Sequence, residues 1–234
     1  MFRNTVPVEL RNRSISDTIL SFKNLRERGF NPSVIIDCGA HEGWWTKKIK
    51  IIFPDSKILL IEALPEKEKY LAKIKMDYSN VDYEMALLGA YNVEAVKFYK
   101  MGTGSSVFEE QSNIPREIIS LPMKTLDQIV YARKIDKISL LKLDVQGFEI
   151  EVLKGGLNTL RNSDIVLLEC SFLQYNKCAP LFNELVNFMA TEGFFIYDIG
   201  SLFRWKGAAL LQADIIFIKK ESTLRQCFFN FLGY

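Results

Sequence analysis

Apolar residues recur along the chain with two alternating periods. Residues 14–28 place Ile15, Ile19, Phe22 and Leu25 at helical spacing, and Gly29 is suited to end that helix. Residues 34–37 (VIID) then form a short β-branched run of the kind that is covered on both faces. The alternation continues: residues 43–52 predict a helix stopped by Pro54, 57–61 (KILLI) a buried strand, and 66–76 a helix with its charges on one side. Residues 81–88 predict a third strand and 93–100 an additional one. Beyond them come a strand at 140–144 (LLKLD), a helix from Phe148 ended by Gly155 and Gly156, a strand at 165–169 (IVLLE) and a helix at 180–191. Residues 194–198 and 209–219 read as two last strands joined by a loop, suited to antiparallel pairing. Near-continuous apolar strands alternating with helices predict an α/β fold with a mostly parallel sheet and helices on both faces. The segment 102–122 is the one long stretch of weak periodicity, and loops of that length are usually functional or mobile. It is a candidate lid.

Composition narrows the picture. The chain has 234 residues, 48% hydrophobic and 25% charged, which excludes an intrinsically disordered chain and is ample for a core. Thirty Lys and Arg against 28 Asp and Glu give no general electrostatic drive toward nucleic acid, so no nucleic-acid partner is expected. The four cysteines, Cys38, Cys170, Cys178 and Cys227, form no CxxC pair, and reduced thiols in the cytoplasm are the expectation. The first residues lack the apolar core of a secretory signal. The longest apolar stretch, 208–218, is broken by Gln212 and Asp214, and no segment approaches the roughly 20 apolar residues of a membrane helix.

Three motifs carry candidate chemistry, each at the end of a predicted strand. Asp37-Cys38-Gly39-Ala40-His41-Glu42-Gly43 is a D-x-G-x-x-x-G turn leading into a helix. Its glycines allow close backbone approach, and the acid suits a cationic amino group where it would repel a pyrophosphate. Glu62, at the end of the second strand, stands where a ribose with free hydroxyls is gripped. An acid at the amino end and an acid at the ribose end describe a nucleoside carrying an amino acid, which S-adenosylmethionine fits. The third motif, Leu143 to Glu149 (LDVQGFE), is again strand, tight turn and helix, with Asp144 at the strand's carboxyl end and Glu149 in the first helical turn.

DCGAHEGWWT, LIEALP, LLKLDVQGFEIEVLKGG and IVLLECSF, in this order and spacing, resemble the FkbM family of S-adenosylmethionine-dependent methyltransferases over residues 30–220. The resemblance implies a class I methyltransferase fold, Rossmann-like, with seven strands in the order 3-2-1-4-5-7-6 and strand 7 antiparallel. It implies O-methylation of sugars, glycans or secondary metabolites. Asp37, Gly39, Ala40, His41 and Gly43 would then surround the methionine portion, with Thr46 near its carboxylate. Glu62 would bind the ribose, Ala63 would lie beside the adenine, and Met85 and Ala86 would line the adenine slot. Asp144 would sit close to the methyl donor and Glu149 would point toward the acceptor. His41 and Gln146 depart from the family's commoner Asn and Glu.

A hydroxyl acceptor needs its proton removed or its oxygen polarised. His41 is the only histidine and lies in the cofactor loop, so Asp144 or Glu149 is the expected base. A magnesium- or manganese-like ion on Asp144, Glu149 and a third acid is the other possibility. Trp44, Trp45, Trp205 and Phe203 are candidates to stack on a sugar. The expected organisation is an N-terminal helical extension at 1–29, the catalytic domain at 30–220 and a tail helix at 221–234 that docks or forms a homodimer contact. Competing readings are a nicotinamide-dependent oxidoreductase, disfavoured by the absent GxGxxG, and a non-catalytic binding protein of the same fold.

Overall fold

The computed structural model describes residues 13–205 and 209–225. Seven strands form the main sheet: β1 (Val34–Cys38), β2 (Lys57–Glu62), β3 (Val81–Met85), β7 (Ile138–Leu143), β8 (Ser163–Ser171), β9 (Phe194–Trp205) and β10 (Ala209–Lys219). Their spatial order is β3-β2-β1-β7-β8-β10-β9. Counted within this sheet alone that is 3-2-1-4-5-7-6. β10 runs antiparallel to both neighbours, and the β1, β2, β3, β7 and β8 pairings are parallel.

Strict alternation along each strand divides the core between two faces. Ile35, Ile58, Leu60, Leu140, Ile165, Leu167 and Ile216 face α1 (Arg13–Glu27), α2 (Trp44–Ile52) and α3 (Glu68–Asp77), which contribute Phe22, Ile49 and Leu71. Ile36, Leu59, Leu141, Val166 and Leu168 face α4 (Leu126–Ala132), α5 (Glu149–Lys154), α6 (Leu157–Arg161) and α7 (Phe182–Thr191). By the same alternation Asp37, Lys142 and Asp214 fall on the α1–α3 face. Polar side chains are thereby placed on an apolar surface, near the carboxyl ends of the parallel strands.

The predicted third strand, 81–88, divides at Ala86, whose N–H donates to the Glu62 carbonyl (2.8 Å). β4 (Leu87–Leu88) then leaves the main sheet and pairs with β6 (Glu117–Lys124), which also pairs with β5 (Val93–Lys100). The candidate lid is therefore not one continuous free loop. Residues 117–122 belong to β6, and Ser106 is sealed in place with its hydroxyl donating to the Gln146 carbonyl (2.9 Å). Gln111 and Lys177 add backbone bonds to Tyr175 and Glu109.

The predicted N-terminal helix is α1. Its Thr18 Oγ1 donates to Asp214 Oδ2 (2.7 Å) and accepts from Ser201 N–H (2.8 Å), so this helix is packed on β9 and β10. Residues 1–12 of the expected extension lie outside the described residues. So do 226–234, with Cys227. In the described part of the tail, Thr223–Arg225 forms a single 3-10 turn. No helix among the described residues is long and apolar enough to cross a membrane.

Candidate active site

A cavity of about 520 Å³ opens at the carboxyl edge of the parallel strands, within the size range of small-molecule sites, about 300–1,000 Å³. Its walls come from four strand-end turns, the small sheet and α1. The turn after β1 supplies Gly39, Ala40 and His41; the end of β2 supplies Glu62 and Ala63; the β3–β4 junction supplies Ala86. β7 and its turn supply Lys142, Asp144 and Gln146, and β8 and β10 supply Glu169, Gln212 and Asp214. The position of this cavity is the one open α/β sheets give to ligands.

Glycine is required where the first and third motifs meet. Gly39 has φ +73°, and a Cβ there would stand 1.9 Å from the Asp144 carbonyl oxygen. The two turns therefore touch backbone to backbone, tied by Asp144 N–H donating to the Cys38 carbonyl (3.1 Å).

Glu62 holds two loops in register. Its Oε2 accepts from His41 N–H (2.7 Å) and its Oε1 from Leu64 N–H (2.9 Å). Burial pushes its carboxyl above the ordinary range, and these backbone donors oppose the shift. Ala63, Leu64, Ala86, Leu87 and Leu88 make the adjoining wall apolar. His41 lines the cavity with a positive φ of 50°, and its Nε2 is buried without a partner among the described residues. Burial and Lys67 lower its pKa, so the ring is neutral at pH 7.

Several expected site residues stand elsewhere. Asp37 is fully buried and does not line the cavity; Thr46 Oγ1 donates to its Oδ2 (2.7 Å) and Lys142 Nζ to its Oδ1 (3.0 Å). Both oxygens are engaged beneath the cavity floor, so Asp37 and Thr46 serve to hold Lys142. Gly43 faces α3: a Cβ there would stand 2.1 Å from Ile74 Cδ1. Met85 packs into the α1–α3 core instead of the cavity wall.

Glu149 does not line the cavity. Its Oε1 turns back onto the N–H groups of Val145 (3.1 Å) and Gly147 (3.3 Å), closing the turn that Gln146 (φ 53°) and Gly147 (φ 92°) allow. It is 1% exposed, and burial pushes its carboxyl up to about 7. Because the folded value exceeds the unfolded one, this group subtracts stability as pH rises from about 4.5 to 7, and the penalty is constant above that window. Glu149→Gln keeps an acceptor for both N–H groups. Its stability advantage over the native chain is expected to grow by about 1–3 kcal/mol between pH 4.5 and 8, measured by urea unfolding. A difference independent of pH would contradict the inward placement.

The cluster that the motifs did not reveal centres on Lys142. Its Nζ lies 3.0 Å from Asp37, 3.5 Å from Asp144 Oδ2 and 5.5 Å from the Trp45 ring centroid. Burial alone would lower this ammonium, but Asp37 and Asp144 hold it above its ordinary value, so it stays charged. Gln146 Nε2 bridges Asp144 Oδ1 (3.0 Å) and Glu169 Oε1 (2.8 Å). Their signal in the sequence was a polar residue interrupting a strand otherwise apolar: Lys142 in LLKLD, and Gln212 and Asp214 in 208–218. Among the described residues no three His, Cys, Asp or Glu side chains converge as a metal site. Of the expected stacking residues, Trp44 and Trp45 line the cavity, Phe203 is 49% exposed, and the Trp205 side chain lies outside the described residues.

Comparison with solved structures places this architecture among methyltransferase folds. An FkbM methyltransferase from Methylobacillus flagellatus superposes with a TM-score of 0.52 at 13% identity, covering 78% of this chain and 43% of that one. The fibrillarin pre-rRNA processing protein of Methanococcus jannaschii superposes at 0.51 with 14% identity, covering 81% and 67%. The chain thus spans less than half the length of the FkbM structure it matches. Among curated proteins, none matches the sequence. The family model of the methyltransferase FkbM domain matches residues 37–196, and the chain belongs to that family.

Proposed function

We propose that the chain transfers a methyl group from S-adenosylmethionine to a hydroxyl oxygen of a sugar, glycan or secondary metabolite. The observation that carries this reading is one continuous cavity with two unlike ends. One end has the fixed Glu62 carboxylate beside an apolar slot, as a ribose and adenine need. The other is lined by Glu169, Asp214, Gln212, Ser201 and Thr18, hydrogen-bonding groups suited to a polyhydroxylated acceptor. Its carboxylates oppose entry of a phosphate backbone, which favours a small-molecule or glycan partner over nucleic acid.

In this reading Glu62 accepts hydrogen bonds from the ribose hydroxyls, and Ala63 and Ala86 flank the adenine. Gly39, Ala40 and His41 border the methionine portion. Asp37 is fully buried and outside the cavity lining, so Asp144, on the turn that touches the Gly39 turn, is the acid this reading gives to the cofactor's amino group. The bound cofactor supplies an electrophilic methyl carbon on a sulfonium. The enzyme's own contribution is to align the acceptor oxygen with that carbon and to exclude water, effects worth several kcal/mol when geometry is held. Gly102, Thr103, Gly104, Ser105 and Val107 are the part of the predicted lid that lines the cavity, and in this reading they border the acceptor.

Incubation with tritiated-methyl S-adenosylmethionine and panels of neutral glycosides, polyhydroxylated metabolites, amines and RNA tests the reading. Base-stable label is expected on a hydroxylated acceptor. Label confined to nitrogen or to RNA would overturn the oxygen assignment, and cofactor binding without transfer to any class would favour a non-catalytic binding protein.

A further inference from the structure

Three carboxylates carried by adjacent strands line the cavity, and their surroundings differ. Asp144 follows β7, Glu169 is near the end of β8, and Asp214 is paired directly with Glu169 on β10. Asp144 has a cation, Lys142, at 3.5 Å. Asp214 takes the Thr18 hydroxyl at 2.7 Å. Among the described residues, neither a cation nor a hydroxyl is bonded to Glu169. Two side-chain amides, Gln146 Nε2 (2.8 Å) and Gln212 Nε2 (2.5 Å), both donate to its Oε1. Gln212 Nε2 also meets the Tyr175 hydroxyl at 2.5 Å, which fixes that amide in turn. No donor from any described residue reaches Oε2, and Glu169 lines the cavity.

This arrangement fixes a carboxylate without neutralising it. Amides orient Oε1 but carry no charge, whereas an ammonium at the same distance would stabilise the anion and weaken it as a base. We propose that Glu169 is the general base of the methyl transfer, receiving the acceptor's hydroxyl proton on Oε2, with Gln146 and Gln212 as positioning residues. The inference rests on the hydroxyl-methylating reading above. The acceptor oxygen forms its bond to the methyl carbon with one of its lone pairs, and the electron pair of the broken C–S bond stays on sulfur as a neutral thioether. The hydroxyl proton passes to Glu169, which returns it to solvent after product leaves.

The charged and titratable neighbours suit this task. Burial is the largest influence on Glu169, and Asp144, Asp214 and Glu149 add to it, raising the carboxyl well above its ordinary value against the smaller opposing effect of Lys142. Tyr175, also raised by burial, stays neutral. A base must be unprotonated, so the rate is expected to rise with pH through this elevated value. Gln146→Glu places a further carboxylate against Glu169 and is expected to move that limb to higher pH.

The test is a carbon-13 titration of glutamate carboxyl groups in the full chain bound to S-adenosylhomocysteine, with the Glu169 signal assigned by its loss in Glu169→Gln. The signal is expected to titrate above the ordinary glutamate range, and further upward in Gln146→Glu. Glu169→Gln is expected to bind S-adenosylhomocysteine as the native chain does, yet to lose about 10²–10⁴-fold in transfer rate, with part of that rate recovered in Glu169→Asp. A Glu169 signal in the ordinary range, or native transfer by Glu169→Gln to any acceptor the native chain methylates, overturns the assignment while leaving the methyltransferase reading intact. Failure of the native chain to bind S-adenosylhomocysteine is the separate outcome that overturns that reading and the inference with it.

Discussion

Asp37→Ala is expected to destabilise the fold by about 3–5 kcal/mol, because it leaves a buried ammonium without its closest partner. Lys142 is 6% exposed and 3.0 Å from Asp37, and Asp144, the other carboxylate within 4 Å, stands farther off at 3.5 Å. The variant also strands the Thr46 hydroxyl, which donates to Asp37 in a fully buried position. Urea unfolding at pH 7 reads the loss. The double variant Asp37→Ala/Lys142→Met removes both charges and is expected to regain a large part of it, since an apolar side chain on the α1–α3 face needs no partner. A single-variant loss under about 1 kcal/mol, the scale of an exposed pair, would contradict the burial of this ion pair.

Glu62→Ala is expected to weaken S-adenosylhomocysteine binding about 10–100-fold, as loss of charge-assisted hydrogen bonds to two ribose hydroxyls predicts. The side chain has a second task that sharpens the effect. It holds the backbone N–H groups of His41 and Leu64, so its removal frees the loop that borders the methionine end as well as the one beside the adenine slot. Glu62→Gln retains acceptor capacity on one oxygen only and is expected to lose less. Calorimetric titration measures both variants, and native affinity in Glu62→Ala would contradict the ribose assignment.

What was legible in the sequence follows from what each signal measures. Strand runs such as VIID, KILLI and IVLLE were readable because strands covered on both faces are apolar throughout, and the glycines and acids that punctuate their ends marked the cavity edge. β6 was hidden: it is largely exposed and carries Pro122 where its pairing with β5 slips between Val93 and Val96. The short helices α4 and α6 give too few turns to establish a helical period. At the site, Gly39, Ala40, His41, Glu62, Ala63, Ala86 and Asp144 do line the cavity. Asp37 and Glu149 do not, for a reason that spacing cannot convey. A carboxylate at a strand end or in a first helical turn can face a ligand or turn inward to a protein donor, and here Lys142, Thr46 and two turn N–H groups take those carboxylates first. Glu169 and Asp214 come together only through the β8–β10 register, across more than forty residues of chain.

Titration of the native chain with S-adenosylhomocysteine and, separately, with NAD tests the cofactor assignment most directly. The expected result is saturable binding of S-adenosylhomocysteine at one site per chain, with no heat from NAD beyond dilution. Binding of NAD in its place, or no binding of S-adenosylhomocysteine by a folded chain, would contradict the reading of the Glu62 end of the cavity and of the chemistry built on it.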